Sequence, residues 1–394
     1  MQSVNNLTVL HTNPTWLQQT QTWMYSQISE LQKLGVNAHI VCNSTENLEQ
    51  FSLANIHSLA EESLAKKILI KGMRRLGIQN CFSYIGEIGR KTNASVLHSH
   101  FGDIGWANLD VARSLNIKHA VTFYGYDVNY LPKIPIWKER YVRLFNEADL
   151  FFCEGSHMAN CLIKLGCPQH KIKVQHLGVD VNRFDFKPRQ WKKDTPLKVL
   201  IAASFREKKG IPYAITALGL ILKNTPLELT IIGDAGEDKA GQLEKAAILS
   251  IIENNGLKPF TRLLGYQPHS IMLQEAYENH IFLHPSVTAS NGDTEGGAPV
   301  SIIEMLATGM LVVSTMHCDI PEVMGSELHH LLAPERNITE LVKIMQILIA
   351  NPNSWGSIAH KGRNHVVLEY NLSIQAKRQQ EHYSKLIRSE SMVL

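Results

Sequence analysis

The chain has 394 residues, 44% of them hydrophobic and 19% charged, with 39 basic side chains against 36 acidic ones and a formal net charge of +3. That length exceeds one ordinary core and implies two domains, and the composition is that of a soluble globular protein. The near-balanced charge gives no ground for nucleic-acid binding. The cysteines Cys42, Cys81, Cys153, Cys161, Cys167 and Cys318 are scattered, with no CxxC pair and no zinc-like Cys/His spacing. They read as reduced, mostly buried thiols of a cytoplasmic protein. The first residues lack the basic and apolar regions of a signal peptide, and no uninterrupted apolar run is long enough to cross a membrane.

In chain order, Leu7–Leu10 reads as a short strand. Residues 14–35 then turn helical, with Met24, Ile28 and Leu31 on one stripe and Gly35 as the stop; Thr20 or Thr22 suits the N-cap. Val36–Cys42 is a second strand, and strand, helix and strand make a right-handed crossover unit. Residues 64–82 alternate apolar groups with Lys66, Lys67, Lys71, Arg74 and Arg75. Such a basic amphipathic helix either lies on an anionic bilayer or is a solvated helix face. Ser95–His100 is a strand, and Gly102 opens the loop at its carboxyl end, where ligands of open α/β sheets bind. His98 and His100 are expected on opposite sheet faces, so that at most one meets this end directly; either can also be a satisfied core histidine. His119–Phe123 is the next strand, Gly125 allows a tight turn, and Asp127 either caps that turn or accepts ligand hydroxyls. Leu150–Cys153 and Lys173–His176 continue the strand pattern.

Residues 185–196, DFKPRQWKKDTP, are polar and proline-flanked and suit a linker. This divides the chain into domains 1–185 and 186–370, with a C-terminal helical segment 371–394. Leu197–Ala203 is the first strand of the second half, followed by Ser204 and a loop in which Arg206 and Lys209 stand before a helix starting near Pro212. The two cations are either a solvated basic turn or an anion grip. Leu227–Ile232 ends at Gly233-Asp234, and Phe260–Leu264 ends at Gly265-Tyr266. Ile281–His284 and Leu311–Ser314 complete a parallel set, and a polar helical tail runs on from Asn351.

Between those last two strands lies the most informative stretch. Ser290–Gly297 is polar and glycine-rich and reads as a loop. Pro299 suits a first helical turn, Ile302, Ile303, Leu306 and Ala307 follow at helical spacing, and Gly309 ends the helix. Exposed N–H groups and a positive dipole make such a helix start, Gly297–Val300, an anion site. Glu295 lies in the loop and Glu304 in the helix among apolar neighbours, where an unpaired carboxylate is costly.

This stretch resembles the signature of the retaining, nucleotide-sugar-dependent glycosyltransferases of family 4. The likeness implies an α/β fold of two Rossmann-like domains whose parallel sheets face across a cleft (GT-B), with a final helix crossing back to the first domain. By the resemblance, Glu295 contacts the donor sugar and Glu304 binds the ribose hydroxyls. Gly296, Gly297, Ala298, Pro299 and Val300 present the helix start to the donor. The acids stand one residue further apart than is usual in the family. The family also holds the diphosphate with an Arg and a Lys, the Lys just before a Gly. Lys209-Gly210 matches, while the Arg position holds Ser204, so Arg206 reaches from a shifted place. Gly233 matches the family's GDG turn, and Tyr266 stands where backbone groups meet the base. HSHFG, with His100 and Gly102, recurs at the acceptor side in polysaccharide glycosyltransferases. Tyr124 replaces a common His that touches the donor sugar, and Thr20 stands where many members carry a glycine pair; Tyr124, Gly102, Asp127 and Thr20 make up the acceptor and sugar side.

The resemblance thus implies transfer of a sugar from a UDP- or GDP-sugar to a hydroxyl of a sugar or lipid-linked glycan, with retention of anomeric configuration, in polysaccharide or lipid-linked glycan assembly. Arg206, Lys209 and the helix start would supply charge to the leaving diphosphate. With no Asp-x-Asp pair present, neither metal nor cofactor is expected. Peripheral membrane contact through the 64–82 helix goes with a lipid-linked acceptor. Two other classes stay open: a nucleotide-sugar epimerase or hydrolase on the same scaffold, and a non-catalytic nucleotide-sugar-binding module. A Rossmann dehydrogenase is disfavoured because no GxGxxG follows a strand.

Overall fold

The computed structural model describes residues 7–17, 22–49, 51–77 and 83–388; Thr20 and residues 78–82 of the expected basic helix lie outside these. The chain forms two compact units, Met1–Asp180 with Asn371–Leu394, and Val181–Tyr370.

The first unit is built on a parallel sheet of β1 (Thr8–Thr12), β2 (Asn37–Cys42), β3 (Ile56–Ser58), β4 (Val96–His100), β5 (Lys118–Thr122), β6 (Leu150–Cys153) and β7 (Ile172–Val174). Their order is β3-β2-β1-β4-β5-β6-β7. The chain winds outward from β1 in one direction and from β4 in the other, so the topological switch point lies between β1 and β4. The helix Thr22–Lys33 buries Met24, Ile28 and Leu31 against Val9, Ala38 and Ile40. Gly35, at φ +86°, ends the helical segment.

The C-terminal helix Leu372–Arg388 packs on the same face. Its polar sequence reads as solvent-facing, yet Gln375, Gln379 and Tyr383, spaced by one helical turn, are buried. Gln379 accepts from Gln27 (2.8 Å) and Gln375 from Gln175 (2.8 Å). Amides that find partners can be buried at little cost, which is why composition alone misjudges this face.

The second unit repeats the plan with β8 (Leu197–Ala202), β9 (Leu227–Ile232), β10 (Thr261–Leu263), β11 (Ile281–His284), β12 (Leu311–Thr315) and β13 (Leu332–Ala333), in the order β10-β9-β8-β11-β12-β13. Its switch point lies between β8 and β11. The short strands β3 and β13 were not expected, since so few residues carry no period. The polar stretch 185–196 is not a free linker. Arg189 and Trp191 are buried, and the Arg189 guanidinium donates to the carbonyls of Ala276, Asn279 and Thr308. Arg363 likewise holds the carbonyls of Val181 and Phe184, so the chain belongs to the second unit from Val181 onward rather than from residue 186.

Candidate active site

At the carboxyl edge of the second sheet, the loops after β8 and β11 meet at the switch point. Gly210 makes this possible: at φ +63°, a Cβ there would stand 1.9 Å from the carbonyl oxygen of Pro285. Lys209, just before it, donates to both oxygens of Glu295 at 2.9 and 2.7 Å. Ser286 adds a hydroxyl donor at 2.7 Å, and His284 Nε2 stands 3.5 Å away, beyond good hydrogen-bond range. Burial alone would push the Glu295 carboxyl up, but the Lys209 ammonium, with Lys208, holds it well below the usual carboxylate range. Burial keeps His284 neutral by lowering its pKa.

The loop behind this pair is fixed along its length. Lys208 pairs with Asp293 (3.2 Å) and donates to the Thr294 carbonyl (2.9 Å). Glu207 accepts from the backbone and hydroxyl of Ser290. The Glu295 amide donates to His317 Nε2 (3.2 Å), whose other ring nitrogen meets Glu335 at 2.6 Å. Glu335 also accepts from the Thr288 amide (2.8 Å). Gly296 takes φ +79° in this longer loop, and its amide donates to Thr294 Oγ1. Gly296, Gly297 and Ala298 are buried, and Pro299 is the N-cap residue of the helix Val300–Thr308. Pro299 gives that helix start no side-chain cap.

Glu304, in the same helix, accepts from His269 Nε2 at 3.0 Å. That hydrogen bond raises the His269 pKa, against the opposing effect of burial. Arg206 does not join Lys209: its guanidinium lies 3.5 Å from Asp238, over half exposed. Ser204 accepts the Arg206 amide at 2.9 Å. The turns after β8, β9 and β10 are zipped together, Gly233 donating to the Gly265 carbonyl (2.8 Å) and Tyr266 donating its hydroxyl to the Asp234 carbonyl (2.8 Å). Of these residues, Ser286, His317, Glu335 and His269 were not read from the sequence. Ser286 had a signal, alternating with His284 just past a strand end; the other three are joined to the site only by the fold.

In the first unit, His98 and His100 lie on the same face of β4, with ring centroids 4.5 Å apart, which corrects the expectation of opposite faces. Side chains two residues apart on a strand share a face, and Ser99 between them takes the other. His98 bonds Tyr383 (2.5 Å) and Thr122 (2.6 Å), while His100 bonds Tyr124 (2.6 Å) and His11 (3.1 Å). Burial lowers the pKa of His11, His98, His100 and His119, the last two to about 3. His11, His98 and His100 offer nitrogens within 4.8 Å of one another, close enough for a metal, but both nitrogens of His98 and of His100 are already engaged in hydrogen bonds. Asp127 is buried and accepts from the amides of Gly102, Tyr124 and Gly125 at 2.8–3.0 Å, so its carboxylate builds the turn; burial still pushes it up to about 6. Gly102 is enclosed, a Cβ there meeting Phe123 at 2.4 Å.

Comparison with known proteins agrees with this architecture. Residues 182–365 match Glycosyl transferases group 1 and residues 20–183 match Glycosyltransferase Family 4. The amylovoran biosynthesis glycosyltransferase AmsK of Erwinia amylovora is 31% identical over 297 residues, covering 74% of this chain and 70% of that protein. Among solved structures, a glycosyltransferase from Rickettsia africae ESF-5 superposes with a TM-score of 0.76 at 16% identity, over 98% of this chain and 99% of that one. Anabaena Alr3699/HepE in complex with UDP does so with a TM-score of 0.73 at 14% identity, over 96% and 100%. At such identities the two structures speak for the fold alone.

Proposed function

The chain belongs to glycosyltransferase family 4, and from that premise we propose that it transfers a hexose from a UDP- or GDP-sugar to a hydroxyl of a growing glycan, with retention of configuration. The observation that carries this reading is the meeting of Lys209, Glu295 and an uncapped helix start at the switch point of the second sheet. Ligands of doubly wound sheets bind there. The diphosphate sits on the amides of Val300 and Ser301, and Lys209 shares its charge between Glu295 and the leaving oxygens. Arg206 leaves Asp238, a loose and exposed pairing, to join it. Cation and dipole then offset the negative charge that grows in the transition state without a divalent metal. Glu304 exchanges His269 for the ribose hydroxyls, and Glu295, held ionised, accepts sugar hydroxyls. Attack comes from the face the diphosphate leaves, whose oxygen takes the acceptor's proton.

The acceptor side is the first unit, through Tyr124, His100 and the loop at Gly102. The matched relative is named for amylovoran biosynthesis, and by analogy this chain works in polysaccharide or lipid-linked glycan assembly at the cytoplasmic face of a membrane. No described helix is long and apolar enough to cross a membrane. Contact is peripheral, through the helix Leu64–Arg75, where Leu64 and Ile68 are exposed beside Lys71 and Arg75. The test is incubation of the full chain with a panel of UDP- and GDP-sugars and glycan acceptors in chelator, followed by NMR of the product linkage. An inverted product refutes retention. Sugar release without an acceptor points to a hydrolase, and binding without turnover to a non-catalytic module.

A further inference from the structure

The loop that carries Glu295 is held from outside by side chains at the ends of two neighbouring strands. Thr315 of β12 pairs with Ala333 of β13, and His317 and Glu335 each lie two residues beyond that pair. The parallel register therefore brings imidazole and carboxylate together, Nδ1 and Oε1 standing 2.6 Å apart. The hydrogen bonds around the ring leave it one protonation state. Nε2 accepts from the Glu295 amide at 3.2 Å, and the Cys318 thiol stands 3.2 Å from the same nitrogen. An amide N–H can only donate, and burial keeps the thiol protonated, its pKa pushed up to about 12. Nε2 thus bears the lone pair, and the proton of the neutral ring sits on Nδ1, donated to Glu335. Burial would push the Glu335 carboxyl up, but the Thr288 amide and His317 hold it below its ordinary value, an ionised acceptor. The same strand end grips the far side of the loop. Glu335 accepts from the Thr288 amide at 2.8 Å, and Arg336, at φ +61°, donates Nη2 to the Thr288 carbonyl. A non-glycine residue keeps that conformation only where its surroundings hold it.

We infer that Glu335 and His317 are positioning residues for Glu295: the carboxylate keeps the ring proton on Nδ1, and Nε2 then holds the Glu295 amide so that its side chain is aimed at the sugar. The inference rests on the reading that Glu295 accepts sugar hydroxyls. In that reading Lys209 turns part of its charge from Glu295 to the diphosphate. The backbone anchor, together with the Ser286 hydroxyl, then keeps the carboxylate in place. An amide in place of the Glu335 carboxylate can donate to Nδ1 and so move the ring proton to Nε2. There it faces the Glu295 N–H, donor against donor, and the loop is pushed away.

The test compares the full chain with Glu335→Gln, His317→Gln and His317→Leu. In protein isotope-labelled at its histidine nitrogens, long-range proton–nitrogen NMR spectra show which ring nitrogen is protonated, and the His317 signals are those lost in His317→Gln. Protonated Nδ1 is expected in the parent and protonated Nε2 in Glu335→Gln. Glu335→Gln and His317→Leu should lower kcat for sugar transfer by roughly a hundredfold, the loss that a misplacement of about 1 Å brings. UDP and GDP affinity should stay as in the parent. His317→Gln, whose side-chain oxygen reaches the place of Nε2 and accepts from the amide, should recover to within about tenfold of the parent. The inference is overturned if the parent carries the proton on Nε2, or if Glu335→Gln turns over like the parent. It is also overturned if His317→Gln recovers no more than His317→Leu, or if activity falls only in step with nucleotide affinity or thermal stability. A parent chain protonated on Nδ1 that turns over no nucleotide sugar would reject the transferase reading and leave the His317 assignment standing.

Discussion

Replacing Lys209 by Met separates the structural duty of one charge from its proposed catalytic one. Glu295 is 6% exposed and Lys209 16%, and their oxygens and ammonium meet at 2.7 Å. Removing one member of a buried pair strands the other charge and costs about 3–5 kcal/mol. The remaining exposure of Lys209 and the Ser286 hydroxyl on Glu295 reduce this to about 2 kcal/mol. For a unit of this size, that lowers Tm by about 4–8 °C. Adding Glu295→Gln removes the stranded charge, and the neutral pair should regain most of the lost stability. Transfer should not recover: losing a group that meets the developing diphosphate charge costs about 100- to 1000-fold in kcat. Differential scanning calorimetry and nucleoside diphosphate release measure the two effects on the same samples. If Lys209→Met leaves Tm unchanged, the pair does not hold the loop. If the double variant recovers turnover along with stability, Lys209 has no part in the chemistry.

Three further outcomes follow from the geometry. His269, its pKa raised by Glu304, gains its proton as pH falls, and the imidazolium then competes for the carboxylate proposed to bind the ribose. Nucleotide affinity by calorimetry should therefore fall on the acid side, and His269→Ala should flatten that profile; an unchanged profile refutes the competition. His11, His98, His100 and His119 are held neutral, so the unfolded chain binds more protons below the ordinary histidine pKa of about 6.5. Stability should drop as pH falls from there toward about 3, by up to about 1.4 kcal/mol per histidine per pH unit, and urea denaturation showing a flat profile would contradict the burial. Gly210→Ala, with the Cβ 1.9 Å from a carbonyl, should destabilise by about 2 kcal/mol or more and weaken donor binding. Gly256→Ala, at φ +68° with nothing within 4 Å, should cost only about 1 kcal/mol and leave donor binding alone.

Most of the strands were legible because they are short apolar runs, many of them buried, as at Ile231–Gly233 where a glycine closes the run. Lys209, Glu295 and Glu304 were legible as residue types at strand and helix ends. Their partners were not: Lys209 and Glu295 are 86 residues apart and Glu304 and His269 are 35, distances at which no period connects side chains. Arg206 and Asp127 each kept two readings for a related reason. A cation or acid beside a glycine turn fits a ligand or the turn itself equally well until the backbone is known. The resting structure sends Arg206 to Asp238 and spends Asp127 on three amides. The polar C-terminal helix misled differently, since burial of Gln375 and Gln379 depends on amide partners supplied by another element.

The central claim is that the second unit grips a nucleoside diphosphate between Lys209 and the start of the Val300–Thr308 helix, with Glu304 on the ribose. Calorimetric titration of UDP and of GDP into the full chain in chelator tests it most directly, alongside Lys209→Met and Glu304→Ala. The account predicts one-to-one binding of at least one of the two nucleotides, weakened by about tenfold or more in each variant. Binding of neither nucleotide, or equal binding by the parent and both variants, would contradict it.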